Sequence, residues 1–120
     1  MARRDISGAV DFAYLEGYAG GDGALVEEVL ELFRHQAELW RPLLQASEEG
    51  WPDAVHTLKG ASGGIGARAL AAACEAAEAA GEDAGLAQLR LDAVHTALDG
   101  ALADIAAYLH EKALEGLRTP

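Results

Sequence analysis

The segment His56-Thr57-Leu58-Lys59-Gly60-Ala61-Ser62-Gly63-Gly64-Ile65-Gly66-Ala67 gathers the residue types best suited to chemistry in this chain. Neutral imidazole, abundant at physiological pH, is a competent nucleophile. An ammonium three residues further along a helix lies on the adjoining surface, within reach of a group attached to the ring. The chemistry this suggests is nucleophilic attack by the imidazole, with Lys59 placed as a partner for a phosphate that comes to the ring. The plainer reading of Lys59 is a solvated surface cation, whose ion pairs contribute only about 0–1 kcal/mol.

Such a role requires His56 to be exposed, and the helical period supplies that. At about 100° per residue, Trp51, Val55, Leu58, Ser62 and Ile65 share one arc and form a seam for the core. His56, Gly60, Gly63 and Ala67 fall on nearly the opposite arc, with Lys59 at its edge. Glycine inside a helix costs roughly 0.5–1 kcal/mol relative to alanine. Either another macromolecule's backbone or a phosphoryl group must approach the ring closely, or Gly60 accommodates internal packing while Gly63, Gly64 and Gly66 unwind the helix end. A nucleophilic imidazole also needs one tautomer: a carboxylate accepting from one ring N–H leaves the lone pair on the other nitrogen. Glu78 and Glu75, on the following antiparallel helix, are the candidates.

The elements that must position these residues are helical. Alanine dominates, β-branched residues are few and there are three prolines, so local propensity disfavours strands. Between Ala24 and Ser47, apolar positions at Leu25, Val29, Leu32, Phe33, Gln36, Leu39, Trp40, Leu43 and Leu44 predict one amphipathic helix, N-capped by Asp22 and kinked or shortened by Pro42. A second helix starts after Gly50, with Pro52 in its first turn and Asp53 at its positive end, and runs to about Gly63 or Gly66. A third spans Ala67 to about Ala80 before Gly81. A fourth carries Leu91, Val94, Leu98, Leu102, Ile105 and Leu109, enough for about six turns. Ahead of them, Val10, Phe12, Tyr14, Leu15 and Tyr18 suggest a short helix closing one end. Four amphipathic helices with short connectors predict an all-α, up-and-down four-helix bundle. One domain is expected over residues 1–120, with its core over about 11–109.

Composition narrows the partners. Nine Lys and Arg against 20 Asp and Glu give a formal charge of −11, which repels nucleic-acid phosphates and anionic membranes. The single cysteine, Cys74, cannot pair within the chain, and neither a signal peptide nor a membrane-spanning run is evident, so a cytoplasmic monomer is expected. No P-loop, dinucleotide fingerprint or solenoid repeat is found.

The pattern His-x-Leu-Lys-Gly, followed by small residues and Gly-Ala, is matched by His56, Leu58, Lys59, Gly60, Gly66 and Ala67. It resembles the signature of the histidine-containing phosphotransfer (HPt) domain, a four-helix bundle of multistep two-component phosphorelays. Leu70, Cys74 and Glu78 coincide with positions the family uses on its next helix. Upstream, Gly21-Asp22 and the helix with Leu30, Leu32 and Phe33 look like its usual approach to the motif. Ala61 where Ser is common, Ala77 for a usual Leu, and Pro42 depart from the pattern.

The resemblance implies that His56 accepts a phosphoryl group through Nε2, Lys59 counters its charge and Glu78 orients the imidazole. Gly60, Gly63, Gly64, Ala67 and Arg68 would border the docking surface. Partners would be response-regulator receiver domains and hybrid histidine kinases. The chain would carry phosphoryl groups without kinase or phosphatase activity and without a cofactor of its own, with Mg²⁺ on the partner receiver. Two other readings compete: an adaptor of the same fold that binds receivers without taking phosphate, and a bundle metalloprotein using His35, His95 and His110 with Glu31 or Asp92.

Overall fold

The computed structural model describes residues 9–118. Five α-helices follow one another: α1 Phe12–Tyr18, α2 Gly23–Trp40, α3 Trp51–Gly64, α4 Arg68–Glu78 and α5 Ala84–Arg118, with a 3₁₀ turn at Arg41–Leu43. Helices α2 to α5 form the four-helix bundle, α3 packed on α4, α4 on α5, and α2 along α3 and α5. Helix α5 has 35 residues, which at a rise of 1.5 Å per residue is about 52 Å. It sets the 56 Å long axis of the molecule and runs well beyond the six turns that its apolar stripe predicts.

Helix boundaries follow local chemistry. The Asp22 carboxylate accepts from Leu25 N at 3.1 Å, the expected N-cap of α2. That helix stops at Trp40 instead of continuing toward Ser47, and the chain tightens into the 3₁₀ turn. Pro42 has no N–H for the Glu38 carbonyl, and its ring crowds that turn. Helix α3 opens with Pro52 in its first turn and Asp53 beside it, as the sequence suggests. Gly66, at φ +78°, makes the corner into α4, and a Cβ there would stand 3.0 Å from the Asp11 carbonyl oxygen.

The core is one cluster running from Val10 to Tyr108. Leu58, Leu70, Leu91, Leu98 and Ile105 are its largest fully buried side chains from α3, α4 and α5. On α2 the buried residues are Val26, Leu30, Phe33 and Ala37. This corrects the expected stripe: Leu25, Leu32, Leu39 and Leu43 lie on the exposed shoulder, Leu32 and Leu39 each at 58%. Both rows repeat at helical spacing, but a helix covered on one side buries an arc too narrow for both.

Helix α1 closes one end as expected, though only Phe12 and Leu15 point inward. Phe12 stacks on Tyr108 with ring centroids 4.2 Å apart, while Tyr14 and Tyr18 are exposed. Val10 N donates to Asp104 Oδ2 at 3.1 Å. The α2–α3 connector is tied to α5 by Arg41 to Asp99 at 2.8 Å, Ala46 N to Gln88 Oε1 at 2.9 Å, and His95 Nε2–H to the Leu44 carbonyl at 2.9 Å.

Candidate functional site

Helices α3 and α4 run antiparallel, which brings the middle of α3 beside the C-terminal turn of α4. There His56 Nδ1 lies 2.8 Å from Glu78 Oε2, and Lys59 Nζ donates to Glu78 Oε1 at 2.6 Å. One carboxylate therefore holds both side chains, each oxygen serving one partner. A carboxylate only accepts, so Nδ1 carries the proton and the Nε2 lone pair is left free in the neutral ring. The His56 side chain is 72% exposed, and among the described residues none hydrogen-bonds Nε2. Glu75, the other carboxylate considered, makes no hydrogen bond to the ring.

The charges are mutually supportive. The Lys59 ammonium, then the His56 ring, holds the Glu78 carboxyl below the ordinary carboxylate range, and the same carboxylate raises Lys59. Below this pair, Leu58 and Ser62 anchor α3 in the core, where Ser62 Oγ–H satisfies itself on the Leu58 carbonyl at 2.6 Å. Cys74 lies buried beneath the site, and burial pushes its thiol up to about 12. It is therefore a packing residue and no nucleophile.

The glycines separate into two kinds. Gly66 is required internally, by its positive φ and by the close approach of Asp11 and Tyr14. At Gly60, Gly63 and Gly64, by contrast, a Cβ would meet nothing within 4 Å. Packing within the chain does not explain Gly60, and the space it leaves opens outward beside His56. Ala67 is a correction: it is fully buried, because α3 ends at Gly64 and the corner at Gly66 rotates the chain inward, so it lines no docking surface. Arg68 is exposed, pinned by Asp11 Oδ2 at 2.8 Å and lying over the Tyr14 ring at 5.6 Å.

The histidines of the metalloprotein reading do not converge. His95 Nε2 donates to the Leu44 carbonyl and Asp92 accepts from Gln88, while Glu31 pairs with Arg34. Among the described residues no three His, Cys, Asp or Glu side chains come together as metal ligands. No helix among them is long and apolar enough to cross a membrane.

One feature escaped the sequence reading. The exposed shoulder of α2 and the C-terminal half of α3 enclose an apolar groove of about 240 Å³, lined by residues including Val29, Leu32, Trp40, Ala61, Gly64 and Ile65. On the α3 helix, Gly60 and Gly64 connect it to His56. The available signal was the spacing of Leu25, Leu32 and Leu39, a row distinct from the Val26, Leu30, Phe33 and Ala37 row.

Four packed helices that present an oriented, exposed imidazole beside a lysine define a histidine-presenting helical bundle. Comparison with solved structures finds histidine phosphotransferase ShpA from Caulobacter crescentus, 58% identical, with a TM-score of 0.81 over 92% of this chain and 100% of that chain. No protein-family model matches the sequence, and no curated protein matches it. The chain belongs to the histidine phosphotransferase family.

Proposed function

We propose that this protein carries phosphoryl groups in a multistep phosphorelay, accepting them on His56 from a receiver-domain aspartate and returning them to a receiver-domain aspartate. The observation that carries this reading is the Nδ1 bond to Glu78, which leaves Nε2 bare on an exposed ring. In the forward step, Nε2 attacks the phosphorus of the aspartyl phosphate in line. The N–P bond forms as the P–O bond breaks, and its electron pair leaves with the receiver carboxylate. The Nδ1 proton stays on the ring, whose developing positive charge faces the Glu78 anion. Lys59, held at the edge of the same carboxylate, is positioned to turn toward the new phosphoryl charge.

Gly60, Gly63 and Gly64 give the receiver room to bring its aspartate against the ring, with Arg68 at the border. The receiver supplies the Mg²⁺ and its ligands, so on this reading the chain has neither kinase nor phosphatase activity and works in the cytoplasm, as a monomer. Receiver domains and hybrid kinases of the same cell are the partners, and neither nucleic acid nor membrane is among them.

The test is incubation with phosphorylated receiver domains from the same cell, comparing wild type with His56→Gln. Acid-labile label on wild type alone is expected. Label on both proteins, or on neither across the full set of receivers, would refute the assignment; receivers bound without any label would instead indicate a non-transferring adaptor.

A further inference from the structure

Glu78 can orient His56 only if the end of α4 is held still, because Glu78 is the last residue of that helix. The helix does little to secure its own end. Six of its 11 residues are alanine, no basic residue lies in its last turn and no side chain caps its start. The carbonyl end of a helix also bears about half an elementary negative charge, so the Glu78 carboxylate stands where an anion is disfavoured.

The last turn leaves one carbonyl without a helical partner. Ala80 N, which would reach the Ala76 carbonyl in a continuing α-helix, donates instead to Ala77 O at 3.1 Å as the chain tightens toward Gly81 at φ +62°. The Ala76 oxygen is then one of the orphan acceptors of a helix end. Arg90, partly buried in the second turn of α5, takes it: its Nη1 donates to Ala76 O at 2.7 Å. Among the described residues Arg90 forms no ion pair with a carboxylate, although the chain has 20 Asp and Glu. Its charge is directed at the helix end two residues before Glu78, where a cation offsets the negative end of the dipole.

We infer that Arg90 is a positioning residue for the transfer site: by holding the Ala76 carbonyl it fixes the last turn of α4 and keeps Glu78 in register with His56. The inference rests on the carrier reading for its effect on transfer and adds to it a residue on α5 that touches neither the imidazole nor the incoming phosphoryl group. It acts through Glu78, so without Glu78 it has nothing to position.

The experiment compares wild type, Arg90→Met, Arg90→Lys, Glu78→Ala and the double variant Arg90→Met/Glu78→Ala, all as the full chain. Methionine keeps an apolar stem without a donor, and lysine restores one donor and the charge without the planar fork. Imidazole ¹⁵N shifts of the neutral His56 ring, amide exchange at Ala79 and Ala80, and the rate of labelling by phosphorylated receiver domains of the same cell are measured on each. Arg90→Met should exchange faster at both amides, mix the two tautomers of His56 and label more slowly by about tenfold, the low end of what losing an orienting partner of a histidine costs. Arg90→Lys should recover most of each. In the Glu78→Ala background Arg90→Met should slow labelling no further, the non-additivity expected of two residues acting through one contact. If Arg90→Met lowers the denaturation midpoint but leaves the tautomer and the labelling rate as in wild type, or slows Glu78→Ala by the same factor as wild type, the inference falls and the carrier reading stands. If no receiver labels wild type, the carrier reading falls, and the tautomer of Arg90→Met alone decides whether Arg90 positions the ring.

Discussion

Glu78 Oε2 stands 2.8 Å from His56 Nδ1, and the other oxygen of that carboxylate is occupied by Lys59. Twenty-two residues separate the two in the chain, yet the antiparallel pairing of α3 and α4 makes them one unit. The bond assigns the proton to Nδ1 and therefore the nucleophilic lone pair to Nε2. Whatever disturbs it changes reactivity before it changes the fold.

Removing that carboxylate should separate orientation from stability. Glu78→Ala is expected to slow labelling of His56 by about 10–100-fold, the usual cost of losing a carboxylate that orients a histidine. Glu78→Gln keeps an accepting oxygen and should be slower by less. Imidazole ¹⁵N shifts check the cause: the neutral wild-type ring should be protonated at Nδ1, and the alanine variant should mix both tautomers. Helical circular dichroism should be unchanged in each.

The His56–Glu78–Lys59 unit also sets a pH dependence. Lys59, then His56, holds the Glu78 carboxyl below its ordinary value of 4.5, so the folded state binds fewer protons there than the unfolded chain. Its stabilisation is complete above that ordinary value and is lost as pH falls through the lowered one. Lys59 is raised above its ordinary 10.5 by the same carboxylate, so its contribution is present below that value and disappears as pH climbs past the raised one. Denaturation midpoints of wild type and Glu78→Gln should differ near pH 8. The difference should shrink in acid below about pH 4 and in alkali above about pH 11.

The glycines give a test with opposite signs. Gly66→Ala places a Cβ 3.0 Å from the Asp11 carbonyl at a φ of +78°, and should lower stability by about 1–3 kcal/mol. Gly60→Ala meets no atom within 4 Å and should raise stability by about 0.5–1 kcal/mol. A larger side chain at the same place, Gly60→Gln, should leave the fold intact while slowing transfer from a receiver by about tenfold, since it fills the space beside the ring. Urea denaturation and labelling rates, measured on the same preparations, check all three.

Much of this molecule was legible from residue order alone because the relevant signals are local. The spacing of Val55, Leu58 and Ser62 places His56 on the opposite side of its helix whatever that helix packs against. Asp22, Pro52 and Gly81 mark their helix ends through backbone chemistry within a few residues, and Pro42 stops α2 for the same reason. The buried row of α5 is likewise periodic enough to stand out, although its last turns are not.

What required the tertiary structure concerns which of several equivalent local arrangements is covered. Two apolar rows on α2 satisfy the same periodicity, and only the placement of α1, α3 and α5 buries Val26, Leu30, Phe33 and Ala37 and leaves Leu25, Leu32 and Leu39 facing outward. Ala67 follows His56 at helical spacing, but the left-handed turn at Gly66 takes it out of the helix and into the core. Glu75 and Glu78 are both carboxylates on α4, and the register of α3 against α4 alone chooses Glu78 for the imidazole. Periodicity along a chain constrains one helix at a time; burial, and the meeting of side chains from different helices, depends on how those helices are set against each other.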